Sequence, residues 1–418
     1  MNPRILMRSC VFALAAILPL LPLTAPTQTP IPPAQGPASP QRRAPASPPA
    51  WPATTVNLDG SLTFRLKYPT ATKVTVATDA LLQPLTMTQG TDGVWTATTS
   101  SLAPEYYGYT FVVDGVKILD PLNRNTHVNF VDLYSDILVP GTPPGPWELT
   151  DIPHGDLTRH LFTTHIGLHY PENQTAYVVY TPPGYDAKRK SGCPVLYLLH
   201  GFSDTEDGWT LTGRANLMLD RMLADGKIVP MIVVMPRGYG DFDVVAPQRA
   251  TGAAAVGMND RNITLFGKTL TDEIIPSVER QYNVAKGRQN RAVAGLSMGG
   301  EESTTIGLTR PELFAWVGGM SSAVPRSDYD THFPGLDAKK ANLRLLWIAC
   351  GTDDRLITSN RAFTTWAKQK GLPVTAVETP GAHTFVVWRD DLLAFAPLLF
   401  RNETLHASID SSRYRQGR

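Results

Sequence analysis

Cysteine is nearly missing from this sequence: three residues in 418, one of which, Cys10, sits in an apolar leader. A disulfide-stapled fold is excluded, and no Cys/His group has ligand spacing, so neither a metal nor another cofactor is expected. Cys193 and Cys350 precede and end apolar runs that read as strands at opposite edges of one sheet. Both are expected to be buried free thiols, beyond the ~7 Å that a bridge can span. Charge of one sign is also missing. Thirty-eight Lys and Arg nearly cancel 37 Asp and Glu, and no basic run is long enough to track phosphates, which argues against a nucleic-acid partner. A membrane span is missing too. After "MNPRILMR", the stretch "SCVFALAAILPLLPLTA" is too short, and too broken by Pro19 and Pro22, to cross a bilayer well. It reads as a signal peptide over 1–25, with an uncleaved anchor as the alternative because Leu23 and Pro26 suit a cut after Ala25 poorly. The expected location is secreted or periplasmic, with no membrane attachment once the signal is removed.

What is present changes character along the chain. Residues 26–50, rich in Pro, Ala, Ser and Gln, have no apolar period and read as an extended linker. Residues 51–140 alternate in short runs such as "LTFRLKY", "KVTVATD" and "YYGYTFVVDG", punctuated by the Asp-Gly pairs Asp59-Gly60, Asp92-Gly93 and Asp114-Gly115. No helical period occurs there, so an antiparallel, immunoglobulin-like sandwich is predicted. A Pro/Gly-rich linker over 141–153 follows, and then strand-like and helix-like segments alternate over 154–403 before a tail at 404–418. Val/Ile/Leu-rich runs with amphipathic segments between them predict an α/β fold with a mostly parallel sheet covered on both faces. The order "GVW", "YYGYTFVVDG", "DPLNR" resembles an early-set domain of the carbohydrate-binding module family 48 type. That resemblance offers two uses for Trp95, Tyr106, Tyr107 and Tyr109: sugar stacking, or core and edge packing, which alternation alone favours.

The chemistry concentrates at "RAVAGLSMGG", residues 291–300. A buried strand followed by a serine between glycines, and then by small residues, is what a nucleophile elbow requires, because strand and helix must approach closely to hold a strained, exposed hydroxyl. Ser297 is therefore the candidate nucleophile. A serine hydroxyl needs a base, and the base an orienting carboxylate. In α/β-hydrolases these follow in the order Ser, Asp, His, each after a later strand. "LRLLWIACGTDD" supplies Asp353 and Asp354, and "VTAVETPGAH" supplies His383, whereas His200 lies upstream and His406 in the tail. Oxyanion donors are expected from the backbone of Met298 and of Phe202, in the turn after "VLYLLHGF".

Together "VYTPPGY", "VLYLLHG", "ADGKIVPMIVVMP", "AVAGLSMGG", "IACGTDD" and "GAHTFVVWRDDL" resemble the esterase-D-type branch of carbohydrate esterase family 1, which includes feruloyl and acetyl xylan esterases. The resemblance covers about residues 155–402. It implies an α/β-hydrolase, selects Asp354 over Asp353 as the carboxylate, and makes Ser297, Asp354 and His383 the triad, with Phe202 and Met298 as the oxyanion hole. The implied substrate is a feruloyl or acetyl ester on a cell-wall polysaccharide such as xylan. Trp209, in the loop after Phe202, and Trp388, soon after His383, are expected to line the acyl pocket, although Trp388 also suits packing beneath the histidine loop. The glycine- and alanine-rich stretch "QRATGAAAVGMND" suggests a mobile rim or a plain surface loop. Two alternatives stand beside this reading: an enterochelin-type siderophore esterase, and a catalytically silent carbohydrate-binding protein.

Overall fold

The computed structural model describes residues 51–127, 129–246, 257–324 and 328–401, and residues 49–418 belong to one compact unit. The leader over 1–25, the linker over 26–50, most of the glycine- and alanine-rich stretch and the tail over 404–418 lie outside the described residues. Of that stretch, Met258 onward opens a helix rather than extending a surface loop.

Alternation of buried and exposed side chains produces two antiparallel sheets between Thr55 and Val139. One is built on the strands Leu62–Lys67 and Val94–Thr98, the other on Val74–Thr78, Glu105–Val113 and Tyr134–Val139. Leu62, Phe64, Leu66, Val74, Val76, Tyr109 and Phe111 fill the space between them. Trp95, Tyr106, Tyr107 and Tyr109 are all buried, so none offers a free sugar-stacking face. Trp95 donates its indole N–H to the Tyr68 carbonyl at 2.9 Å, and Tyr106 lies under the Arg214 guanidinium at 4.9 Å.

The second part is an eight-stranded sheet: β1 (Asp156–Thr163), β2 (Gln174–Thr181), β3 (Val195–Leu199), β4 (Ile232–Pro236), β5 (Arg291–Leu296), β6 (Trp316–Met320), β7 (Leu345–Gly351) and β8 (Val374–Thr379). Its order is β1-β2-β4-β3-β5-β6-β7-β8. The pairs β1–β2 and β2–β4 are antiparallel and the rest parallel. "VLYLL", "IVVMP" and "WVGGM" are buried throughout because helices cover both faces, the usual condition for parallel strands. The covering elements relevant here are α1 (Gly208–Leu211), α2 (Ala215–Ala224), α3 (Met258–Lys268), α4 (Ser297–Thr309), α5 (Ile357–Gln369) and α6 (Phe385–Phe395). Cys193 and Cys350 are free and buried, but not at opposite edges. Cys193 precedes the central strand β3, Cys350 is the next-to-last residue of β7, and β5 and β6 lie between. Crossovers, which chain order does not reveal, decide which strands become edges.

The two parts interlock. Arg389 of α6, 0% exposed, pairs with Glu105 of the sandwich at 3.1 Å and donates to the carbonyls of Thr212, at 2.7 Å, and Tyr106. The Phe130 N–H donates to the Ser203 carbonyl at 2.7 Å, while its ring stands edge-on to Tyr239 and Phe242.

Candidate active site

Strand β5 ends at Leu296 and α4 starts at the next residue, so the chain must turn within one position. Ser297 makes the turn with φ +52°, a left-handed conformation that L-residues adopt only when their surroundings hold them there. Glycines supply the necessary closeness. A Cβ on Gly299 would lie 2.3 Å from the His200 carbonyl, and one on Gly201 would lie 2.6 Å from Leu296 Cδ1 and 3.3 Å from Ser297 Cβ. The turn after β3 is thereby pressed against the serine.

The structure brings Ser297, His383 and Asp354 together. The Ser297 hydroxyl donates to His383 Nε2 at 3.0 Å, and His383 Nδ1–H donates to Asp354 Oδ2 at 2.7 Å. Burial alone would raise the Asp354 carboxyl, but the bonds from His383 and from the Leu356 N–H outweigh it and hold the group below the ordinary carboxylate range. Asp353 is exposed, and its backbone N–H serves the Gly381 carbonyl. His200 pins the neighbouring turn: Nδ1–H donates to the Gly201 carbonyl at 2.8 Å and Nε2 accepts the Gly238 N–H at 2.9 Å. Burial pushes it down to about 4, so it stays neutral.

Met298 is the second residue of α4, where a helix N–H has no partner within the helix. Its side chain packs away from the cavity among Tyr170, Tyr239, Val244 and Val245. Phe202 is 48% exposed and lines a cavity of about 440 Å³ above Ser297. Trp388 also lines that cavity, and it does so while packing edge-on against His383 at 4.9 Å, so both expected uses coexist. Trp209 is not on the wall. Helix α1 turns it into the core, 1% exposed, where its indole N–H donates to the Leu199 carbonyl at 2.9 Å. Phe385, which stands edge-on to Trp209 at 5.8 Å, takes the wall position.

The sequence reading missed the far wall. The sandwich contributes Asp79, His127, Asn129, Asp132 and Tyr134 to the lining, facing Asp204 and Arg355 of the α/β part. Burial raises Asp79 to about 7 and Asp204 to about 6, each against opposing positive charge, chiefly Arg389 for Asp79 and His127 for Asp204. Burial alone would lower His127, yet its bond to Asp136 leaves it above the ordinary range. No periodic or motif signal marks these residues, because they come from separate strands and loops.

Among the described residues, one group, His169, Asp241 and Asp243, brings three potential metal-ligand atoms within 4.8 Å of one another. Sequence spacing hides it, since His169 and Asp241 are 72 positions apart. Its atoms are engaged already: His169 Nδ1 bonds both carboxylates, at 3.2 and 2.8 Å, and Arg261 holds Asp241 at 2.6 Å.

Residues 169–399 match the Esterase family. An endo-1,4-beta-xylanase/feruloyl esterase of Xylanibacter ruminicola is 31% identical over 354 residues, 83% of this chain, and the chain spans only 46% of that relative's length. A ferulic acid esterase from Anaeromyces mucronatus superposes with a TM-score of 0.51 at 22% identity, covering 60% of this chain and 93% of its own. The enterobactin esterase of Shigella flexneri superposes with a TM-score of 0.58 at 19% identity, covering 81% of this chain and 92% of its own. At those identities the two structures speak for the α/β-hydrolase fold alone. The elbow geometry of Ser297 and the family match over more than half of the chain lead to one conclusion: this protein belongs to the esterase family.

Proposed function

We propose that the protein is a secreted serine esterase that releases feruloyl or acetyl groups from a cell-wall polysaccharide such as xylan through an acyl-enzyme. The observation that carries the mechanism is the chain of bonds from Ser297 through His383 to Asp354. Ser297 Oγ attacks the ester carbonyl as His383 Nε2 takes its proton, and Asp354 stabilises the resulting imidazolium. Backbone N–H groups of Met298 and Phe202 meet the oxyanion, each such donor contributing about 3 kcal/mol to transition-state stabilisation in comparable sites. His383 then protonates the departing sugar hydroxyl. Water, activated by the same histidine, attacks the acyl-enzyme and frees the acid.

The acyl group rests on the xylanase/feruloyl esterase relative and on the rings of Phe202, Phe385 and Trp388 at the cavity wall, which suit a flat aromatic acid. A siderophore esterase shares the fold, but its anionic ligand would meet Asp79, Asp132 and Asp204 beside Arg355 and His127, with Asp132 already paired with Lys117, rather than a cluster of cations among the described residues. A silent carbohydrate-binding protein has no need of the strained serine or its hydrogen-bonded histidine. Turnover of methyl ferulate, acetylated xylan and a catecholate siderophore by the same preparation tests the reading. Fastest turnover of methyl ferulate is expected; an acetyl preference above about tenfold overturns the aryl assignment, and a siderophore preference overturns the polysaccharide.

A further inference from the structure

Away from the triad, the loop between β1 and β2 and the loop after β4 are tied side by side. The Leu168 N–H donates to the Gly240 carbonyl at 2.8 Å, and the Phe242 N–H donates to the Leu168 carbonyl at 3.0 Å. Asn262 of α3 fixes the second loop, its side-chain oxygen accepting the N–H groups of Gly240 at 2.9 Å and Asp241 at 3.1 Å. This frame sets His169 Nδ1 against two carboxylates, 3.2 Å from Asp241 Oδ1 and 2.8 Å from Asp243 Oδ2. Arg261 answers Asp241. Asp243 has His169 alone: it meets no Lys or Arg within ion-pair distance among the described residues, and its Oδ1 is buried without a hydrogen-bond partner. In a side chain only 9% exposed, an orphaned carboxylate oxygen costs free energy that a cation would recover. A cavity of about 430 Å³, lined by His169, Tyr170, Pro171 and Asp243, gives an ion a way in.

We propose that His169, Asp241 and Asp243 bind one divalent transition cation, with zinc the best match, that staples these two loops. An imidazole with two carboxylates is a mixed nitrogen and oxygen set, which suits zinc, whereas calcium takes six or more oxygens. Tetrahedral bonds of about 2.0–2.2 Å hold neighbouring ligand atoms about 3.4 Å apart. His169, half exposed on its loop, therefore has to give way by only a few tenths of an ångström and release its Nδ1 proton. That leaves Asp243 Oδ1 as a further ligand atom or as the acceptor for a bound water. The role is structural: Tyr170 and Tyr239, on the same two loops, pack around the side chain of Met298, the residue next to the nucleophile.

The test uses the full chain, stripped with a chelator and dialysed. Calorimetric titration with zinc chloride is expected to show one saturable site per chain, with affinity at least about tenfold weaker in His169→Gln and in Asp243→Asn, since losing a ligand costs no less than losing an outer-shell partner. Calcium is expected to bind the wild type at least about tenfold more weakly than zinc. Zinc at a hundredfold excess over Kd is expected to raise Tm by roughly 2–5 °C in the wild type and not in the variants. Asp243→Asn is isosteric and His169 is half exposed, so the fold is kept, and the wild-type titration stands without either variant. No saturable zinc binding by the wild type, or affinity unchanged in both variants, overturns the site. A preference for calcium overturns the cation, and binding without a rise in Tm overturns the staple. No readout needs turnover, so the esterase reading stands or falls separately.

Discussion

The two sides of the cavity are built differently, one by local chain geometry and the other by the docking of distant segments. The α/β side is assembled from residues at strand ends in a fixed order, with Ser297 after β5, Asp354 after β7 and His383 after β8. Each is tied to a local feature: a one-residue turn, a strand-end loop, a glycine. The sandwich side consists of Asp79 after one strand, His127 at the end of another, and Asn129 and Tyr134 on the loop and strand that follow. Only docking gathers them, and docking depends on Arg389, Glu105 and Phe130, which pair across more than 70 positions of chain in every case. One wall is made by local geometry, the other by long-range burial.

The largest expected effect removes the local wall's chemistry. Ser297→Ala is expected to abolish turnover of any ester, by on the order of 10⁶-fold as for nucleophile loss in comparable triads, with an unchanged melting curve. Retention of more than a few per cent of activity would contradict the assignment. Next, Asp354→Asn is expected to lower kcat by roughly 10⁴-fold by favouring the wrong imidazole tautomer, while the exposed Asp353→Asn stays within about twofold. The reverse ranking would move the orienting role by one residue.

A cut between the walls sharpens the contrast further. Arg389→Met leaves Glu105 buried without its cation and is expected to cost about 3–5 kcal/mol by denaturant unfolding. A chain beginning at Ile152 removes Glu105 and the far wall together, so it is expected to lose stability and most turnover of sugar esters. Full retention of both would show that the sandwich is a passive neighbour. A smaller effect belongs to Trp209, which is buried behind Phe385. Trp209→Phe is expected to lower stability by about 1–3 kcal/mol with the preference between feruloyl and acetyl esters intact, whereas Trp388→Ala is expected to shift that preference.

A further effect is in the pH dependence. Asp79 is raised to about 7 by burial, chiefly against the pull of Arg389. The native state therefore binds more protons than the unfolded chain between about pH 4 and 7, so this group's contribution to stability falls as pH rises through that window. Asp79→Asn is expected to flatten the decline of Tm over the same range, and an unaltered slope would show that the carboxyl is solvated in the closed cleft.

Much of this molecule was legible beforehand because its signals are local. Alternation marks the sandwich strands, and continuous apolar runs mark β3, β4 and β6. Glycines flanking Ser297 mark the elbow because no Cβ fits at Gly295 or Gly299. The less local a feature, the weaker its mark on the sequence. The position of Trp209 in the chain suggests the cavity wall, yet one turn of helix rotates it into the core and leaves the wall to Phe385. Chain order suggests opposite edges for Cys193 and Cys350, yet the crossovers put β3 in the middle of the sheet. His169, Asp241 and Asp243 meet without any sequence spacing that announces them.

By itself, then, the sequence determined the elements, the esterase elbow and the order of Ser297, Asp354 and His383, since each follows from backbone sterics and periodicity within a few residues. Tertiary structure decided what covers the serine. The second wall of the cavity is held where Arg389 is buried against Glu105, the carbonyls of Tyr106 and Thr212, and the Trp147 ring, because a buried cation is stable only in an arrangement that satisfies it.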